Sequence, residues 1–365
     1  MSATYALVTG GGTGGHVYPA LALADELVAR GHPRDSIRFV GARRGLETTA
    51  VPAAGYTIEV LPGRGLDRSH TLRSVARNVR TAWDTAVAFA RATAIVRRDR
   101  PTVVVGVGGY ASLPAVVAGR LHRIPTVVHE ADAHPGLANR VAVCLGARPA
   151  VSLPGTPLRG ATVTGNPIRP EMIAVERAPV SPALVAVVGG SLGAQRINRA
   201  ALELYDRWRQ RRDVVIHHVT GVRDYQGCTE RLAALRRGGD ALDYRMVSYE
   251  DHMDTLYANA EVMVARAGGM TAELAAVGMP SVLVPLPGAP GDHQARNAEV
   301  FVDAGAAVVV PDRELDGARL GAVLDELLAD PSRLAAMGRA ARTLARVDAT
   351  ARFADLVEEV ARGRH

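Results

Sequence analysis

Four glycine-rich stretches carry the first chemical signal in the chain. They are Thr9-Gly10-Gly11-Gly12-Thr13-Gly14-Gly15-His16, Gly106-Val107-Gly108-Gly109-Tyr110, Gly189-Gly190-Ser191-Leu192-Gly193-Ala194 and Arg266-Ala267-Gly268-Gly269-Met270-Thr271. Each follows a short β-branched run, and the first, third and fourth open a helical pattern. Without side chains, backbone N–H groups can approach an oxyanion, and a helix N-terminus adds roughly half a positive charge. One such loop is weak evidence, because glycine also serves merely to turn the chain. Four of them, two per half, imply a protein built to hold more than one phosphate-bearing molecule. A histidine, His16, closes the first stretch. With an unperturbed pKa near 6.5 it suits proton removal at neutral pH, and the competing reading is that it caps or packs the helix. Glu130 is the runner-up candidate for the base, or the residue that orients one.

The elements that must position these residues alternate along the whole length. Strands are expected at 4–9, 36–40, 57–61, 102–106, 125–129 and 161–164. A second series is expected at 183–188, 214–219, 244–247, 261–265, 281–285 and 306–310. Helical stretches lie between them, such as 17–30, where Val17, Ala20, Leu21, Ala24, Leu27 and Val28 share a face and Gly31 stops the helix. Alternation of this kind predicts an α/β protein with parallel sheets covered on both sides. The series breaks at Gly165-Asn166-Pro167-Ile168-Arg169-Pro170, with Pro179 and Pro182 before the next run. The expected organisation is a doubly wound domain at 1–168, a hinge at 169–182, a second doubly wound domain at 183–345, and a C-terminal helix at 346–365 that packs back on the first. The two domains are expected to face a cleft.

Composition bounds the answer. The chain has 365 residues, 48% hydrophobic and 22% charged, which excludes wholesale disorder. The 43 basic side chains against 37 acidic ones give +6, and all of the basic ones are arginine, a planar donor suited to phosphate. Two cysteines, Cys144 and Cys228, form neither a disulfide framework nor a metal pattern, which points to a reducing compartment. The N-terminal run meets glycines with no secretory pattern, and no apolar run approaches the ~20 residues of a spanning helix. A dinucleotide-binding oxidoreductase would need a carboxylate closing the second strand, and Ile37-Arg38-Phe39-Val40-Gly41 ends without one. His129, Glu130, Asp132 and His134 do not share one face, so no metal site is expected. Stacking aromatics are scarce and the positive charge is concentrated in one segment, which argues against nucleic acid.

That segment runs from Arg64 to Arg100. Leu72, Val75, Val79 and Trp83 recur at helical spacing, with Arg73, Arg77 and Arg80 beside them. A basic amphipathic helix with an exposed tryptophan would settle on an anionic bilayer. The alternative is a helix that packs its stripe on the domain core with its arginines merely solvated.

The motifs taken together resemble a known family. Gly11-Gly12-Thr13-Gly14-Gly15-His16-Val17-x-Pro19, Gly108-Gly109-Tyr110, His129-Glu130, Pro135-Gly136-Leu137-Ala138-Asn139 and Gly165-Asn166-Pro167-x-Arg169 come first. Gly189-Gly190-Ser191-x-Gly193-Ala194 and Asp292-x-Gln294-x-x-Asn297-Ala298 complete the order. This series is similar to the peripheral-membrane N-acetylglucosaminyltransferases of glycosyltransferase family 28, which make lipid II from lipid I on the cytoplasmic face of the cell membrane. The resemblance implies the two-domain GT-B fold, inverting transfer without metal or cofactor, UDP-N-acetylglucosamine as donor and a polyprenyl-diphosphate-linked acceptor. It implies His16 as base and Glu130 as its runner-up. It also implies donor contacts from Thr13, Gly14, Gly15, Asp132, Arg169, Ser191, Glu250, Met270, Thr271, Glu273, Gln294 and Asn297. An acceptor-diphosphate site would be formed by Gly14, Gly15, Gly108, Gly109 and Tyr110.

The chain departs from the family pattern in three places. Asp132 stands where the family has Asn, and an ionised carboxylate cannot donate a hydrogen bond. Leu192 replaces a Gln, and the stretch from Thr271 to Glu273 is one residue short. These departures keep two rival readings open, a related transferase with another acceptor and a catalytically impaired UDP-sugar or lipid-diphosphate binder. A UDP-sugar epimerase on a similar fold is a third rival, for which the sequence shows no set of carboxylates placed for anti elimination.

Overall fold

The computed structural model describes residues 3–43, 45–62, 72–109, 111–190, 193–289 and 292–363, apart from the side chains of 72–82. The chain divides into two compact units. One comprises Met1–Arg169 with Asp348–His365, and the other Pro170–Val347.

The first unit is built on a parallel sheet of seven strands. These are β1 (Ala6–Gly10), β2 (Ile37–Ala42), β3 (Thr57–Leu61), β4 (Val103–Gly108), β5 (Thr126–Glu130), β6 (Arg148–Val151) and β7 (Thr162–Val163), in the order β3-β2-β1-β4-β5-β6-β7. Strand alternation sorts its side chains onto two faces. Ala6, Val8, Phe39 and Val105 pack one way, under the Gly14–Ala29 and Ala349–Arg362 helices. Leu7, Val40, Val104 and Val128 pack the other way, under the Ser112–Leu121 helix and the C-terminal half of the Leu72–Asp99 helix. Because both faces are covered, the strands read as continuous apolar runs.

Strand β6 went unseen in the sequence because it is short and opens on Arg148-Pro149. A proline cannot donate to a ladder, yet here nothing is lost. The Ser152 N–H donates to Glu130 O on β5, so by alternation the Pro149 nitrogen faces β7. That strand pairs only with Ala150 and Val151, leaving Pro149 beyond its end.

The second unit has β8 (Ala183–Val188), β9 (Val214–Val219), β10 (Asp243–Val247), β11 (Ala260–Ala265), β12 (Ser281–Leu283) and β13 (Ala307–Val309), all parallel, in the order β10-β9-β8-β11-β12-β13. Val185, Val187, Ile216 and Val264 face the Gln195–Trp208 and Gly317–Leu328 helices, whereas Ala186, Val188, Met263 and Leu283 face the other side. Of the stretch 169–182, expected from the sequence as a hinge, residues 170–182 fall in this unit. Met172 lies in its core, Ala178 and Val180 donate to Ala258 O and Asn259 O, and the Arg177 guanidinium donates to Ala260 O, Glu261 O and Gly278 O.

The last helix, Ala349–Arg362, belongs to the first unit. Phe353 is fully buried against the His129 ring at 4.9 Å, the Thr350 hydroxyl donates to Ile168 O, and Arg30 holds Asp355 at 2.6 Å. In each sheet the strand order reverses between two neighbours, β1 and β4 in one and β8 and β11 in the other. Ligands of open α/β sheets bind beyond the carboxyl ends of the strands at such a point.

Candidate active site

In the first unit the glycine turn 10–15 leaves β1 and Gly108-Gly109 leaves β4, side by side. Their fit excludes side chains. Gly109 has φ +82°, and a Cβ there would lie 2.3 Å from Gly11 O. Gly108 has φ +103°, and its Cβ would lie 2.6 Å from the His16 ring. The His16 imidazole therefore lies directly on the exit of β4. Thr13 is the N-cap of the Gly14–Ala29 helix with extended backbone, but its hydroxyl makes no capping bond and the first turn holds no carboxylate. The positive end of this helix thus lacks a cap from its own N-cap side chain or first turn. On Gly12 a Cβ would meet nothing within 4 Å, and on Gly15 only the Thr13 hydroxyl at 3.9 Å. The turn thus has an open side.

Burial lowers the His16 pKa from its usual 6.5, opposed by the charge of Glu130, the Gly11 backbone and the charge of Glu47. At neutral pH the ring is therefore a neutral proton acceptor. Glu130 ends β5 and is 6% exposed. Its carboxylate accepts from the Asp132 N–H at 3.1 Å, the Gly136 N–H at 2.9 Å and the Asn139 amide at 2.9 Å. Burial nevertheless raises its pKa, with those three bonds working against the rise. Glu130 clamps the turn that carries Asp132, a geometry that suits the orienting role better than proton transfer. Its neighbour His129 is buried and structural. Nε2 donates to Gly165 O at 3.0 Å, and burial pushes the pKa down to about 4.

The Arg169 guanidinium lies over the Tyr18 ring at 4.4 Å, and a Cβ on Gly14 would meet that same ring at 3.1 Å. The structure thus gathers Thr13, Gly14, Gly15, His16, Gly108, Gly109, Glu130, Asp132 and Arg169 around one switch point. Tyr110 lies outside the described residues.

In the second unit Ser191, with Leu192, also lies outside them. The rest of that turn rests on a buried polar chain. Gly193 has φ +89°, and a Cβ there would lie 2.6 Å from Thr220 O and 2.7 Å from Asp224. The Tyr244 hydroxyl donates to His218 Nδ1 at 2.7 Å, which makes Nε2 the protonated nitrogen, and this donates to Asn198 Oδ1 at 3.0 Å. The Asn198 amide donates to Thr220 O at 2.9 Å and to Asp224 at 3.2 Å, and Asp224 is paired with Arg223 at 3.0 Å. Burial pushes the His218 pKa down to about 3.

The neighbouring turn after β11 is braced from outside. Arg266 donates to Val284 O and to Asp312 at 2.6 Å, the buried Asn297 donates to Ala267 O at 3.0 Å, and the Thr271 hydroxyl donates to Gly268 O. Gln294 accepts from the Leu286 N–H, and Glu273, in the helix Met270–Val277, accepts from the Tyr257 hydroxyl at 2.9 Å. Met270, Thr271, Glu273, Gln294 and Asn297 therefore form one group. Glu250 stands apart at the exit of β10, accepting from the His252 N–H with its other oxygen 2.9 Å from His217 Nε2.

Sequence reasoning missed Glu47, Asn139, Asn198, His218 and the bracing by Arg266. The available signals were the His217-His218 pair in a strand otherwise of valine and isoleucine, and a polar Asn198 on the buried face of its helix. On the basic helix Trp83 is 71% exposed, whereas the side chains of Leu72, Val75 and Val79 lie outside the described residues. Among the described residues no helix is long and apolar enough to cross a membrane, and no three His, Cys, Asp or Glu gather as metal ligands.

Known proteins are similar to this chain in sequence and fold. The glycosyltransferase family 28 N-terminal domain matches residues 6–147, and the C-terminal domain of that family matches residues 184–360. The UDP-N-acetylglucosamine–N-acetylmuramyl-(pentapeptide) pyrophosphoryl-undecaprenol N-acetylglucosamine transferase of Halorhodospira halophila is 41% identical over 100% of both chains. The enzyme of the same name from Alkalilimnicola ehrlichii is 40% identical over 98% of this chain and 99% of its own. Among solved structures, Acinetobacter baumannii MurG superposes with a TM-score of 0.70 at 24% identity, covering 98% of this chain and 99% of its own. A putative UDP-N-acetylglucosamine 2-epimerase from Listeria monocytogenes reaches 0.66 at 14%, covering 99% of this chain and 98% of its own. The architecture is GT-B, two Rossmann-like units each with its own parallel sheet.

Proposed function

The chain belongs to glycosyltransferase family 28, and from that premise we propose that it transfers N-acetylglucosamine from UDP-N-acetylglucosamine to the C4 hydroxyl of the muramyl sugar of lipid I, giving lipid II. The acceptor oxygen attacks the anomeric carbon, the bond from that carbon to the UDP oxygen breaks, and the configuration inverts. His16 takes the hydroxyl proton as a neutral imidazole. Glu130 and Glu47 favour the imidazolium that forms, as their opposition to the burial effect on His16 indicates. Negative charge developing on the departing UDP meets N–H donors of the glycine turns and the Arg169 guanidinium, without a proton having to move.

On this reading Gly14, Gly15, Gly108, Gly109 and Tyr110 take the acceptor diphosphate. The donor belongs to the second unit: Ser191 and its turn for phosphate, Met270, Thr271 and Glu273 for the ribose side, the Glu250 loop for the base, and Gln294 and Asn297 around the sugar. Asp132 is assigned to the donor sugar. The basic helix with Trp83 rests on the cytoplasmic face of an anionic membrane, where a polyprenyl acceptor resides.

The observation that supports this reading most strongly is the His16 ring seated on the β4 exit beside an uncapped, open-sided glycine turn. The epimerase rival shares the fold but lacks this chain's full-length identity to named transferases. Radiolabelled UDP-N-acetylglucosamine offered with a short-chain lipid I analogue should yield a labelled disaccharide lipid. Release of UDP only with other acceptors would replace the acceptor assignment, and saturable donor binding without turnover would replace the activity.

A further inference from the structure

Glu47 is almost fully buried, at 1% exposure, in the first turn of the short Glu47–Ala53 helix, and the mechanism above leaves its carboxylate without a direct part. One oxygen accepts the Gly12 N–H at 2.8 Å and the other the Ala42 N–H at 2.9 Å. It joins the middle of the first glycine turn to the end of β2. Three glycines make room for it. A Cβ on Gly11 would lie 2.1 Å from Oε1, one on Gly45 2.1 Å from Oε2, and one on Gly41 2.6 Å from Cγ. Residues from three separate segments have thus given up side chains to admit one carboxylate beneath a turn whose other side is open.

We propose that Glu47 is the positioning residue of the acceptor site: it draws the Gly12 N–H inward and so fixes the turn with its open side toward the acceptor diphosphate. Gly12 has φ +96°, a conformation that needs an external hold if a flexible glycine run is not to sample others. A charge-assisted bond to a buried amide is such a hold. The same carboxylate contributes to the field that favours protonated His16, alongside Glu130, so the residue couples the diphosphate grip to the base. The diphosphate assignment itself rests on the function proposed above.

Two variants test this in the full-length chain. In Glu47→Gln the amide presents a donor to one of the two N–H groups and releases it. In Gly45→Ala the new methyl meets the far end of the Glu47 side chain, 2.1 Å from Oε2, and displaces it. Each is expected to raise KM for a short-chain lipid I analogue at least tenfold and to leave KM for UDP-N-acetylglucosamine within twofold. In 15N-glycine spectra the Gly12 amide should lose its hydrogen-bonded shift and exchange faster. Wild-type acceptor KM in a folded variant, or both KM values rising together, would overturn the proposal. Should the wild-type chain fail to use the lipid acceptor, the function would fall, and inorganic pyrophosphate titrated against the glycine amides would decide Glu47 separately. Weaker pyrophosphate binding in both variants supports the positioning role, and unchanged binding in either one refutes it. Should Glu47→Gln not fold, Gly45→Ala carries the same readouts.

Discussion

The two glycine turns at the two switch points are held in opposite ways. In the first unit the supports are carboxylates: Glu47 under Gly12, and Glu130 under the turn that carries Asp132. In the second unit the support under Gly193 is a run of neutral dipoles from Tyr244 through His218 to Asn198. Its one carboxylate, Asp224, is neutralised by Arg223. The contrast follows from what each turn is asked to do. A base must become a cation for an instant, and buried anions near it favour that state. On the proposed function the first turn serves both a diphosphate and the base, and the Glu47 charge is taken up in its bond to the Gly12 N–H; the second serves only a nucleotide diphosphate, and neutral dipoles shape it.

The largest expected effect breaks the first unit's side of this contrast. His16→Ala should lower kcat by about 10²–10⁴-fold, with donor affinity by titration calorimetry unchanged. Equal loss in both would remove its assignment as base. Next, Asn198→Ala takes the partner from His218 Nε2 and from Thr220 O in a buried site, a defect of about 1–3 kcal/mol. UDP-N-acetylglucosamine KM should rise tenfold or more while acceptor KM stays fixed, and a shared rise would erase the division of labour.

A smaller effect sharpens the electrostatics. Among the described residues, Glu130 and Glu47 act on His16 through their charge, His16 and His129 act on each other, and Asp132 and Arg169 lie at the same switch point. The acid limb of kcat/KM in the wild type should fall below 6.5, and Glu130→Gln, having removed a group that raises the His16 pKa, should move it lower still. A limb moving upward would contradict the assigned sign.

Stability gives a further test. Burial holds His129 at about 4 and His218 at about 3, below the usual 6.5. As pH falls the unfolded chain takes up these protons first, so stability is complete above about 6.5. It is lost on the way down to 4 for the first unit's histidine and to 3 for the second's, at up to about 1.4 kcal/mol per pH unit for each. Urea midpoints measured from pH 7 to pH 5 should decline accordingly, and flat midpoints would mean that the histidines are not buried neutral. The smallest expected effect is Trp83→Ser, which should weaken sedimentation with anionic vesicles a few fold and leave turnover of a soluble acceptor analogue untouched.

Much of this arrangement was legible in the sequence, for definite reasons. Glycine turns at strand-to-helix junctions advertise both sheets and their switch points, because a continuous apolar run precedes each and a period of 3.6 follows most of them. The resemblance carried by His129-Glu130 and Asp292-x-Gln294-x-x-Asn297 then named the family. What stayed hidden was long-range or masked by composition. Arg148-Pro149 concealed β6, since the reason a proline is tolerated there is where β7 stops. Glu47 belongs to a short amphipathic stretch with no motif of its own, and its purpose shows only when Gly11, Gly41 and Gly45 are seen to crowd it. Asn198 and His218 lie twenty residues apart and meet only through the pairing of β8 with β9.

The division of labour between the units can be measured most directly by hydrogen–deuterium exchange of the full chain with UDP alone. The account requires slowed exchange in peptides covering 189–198 and 266–274, with the 10–16 turn unchanged. Protection confined to 10–16, with the second unit's turns exchanging as in the free protein, would contradict it.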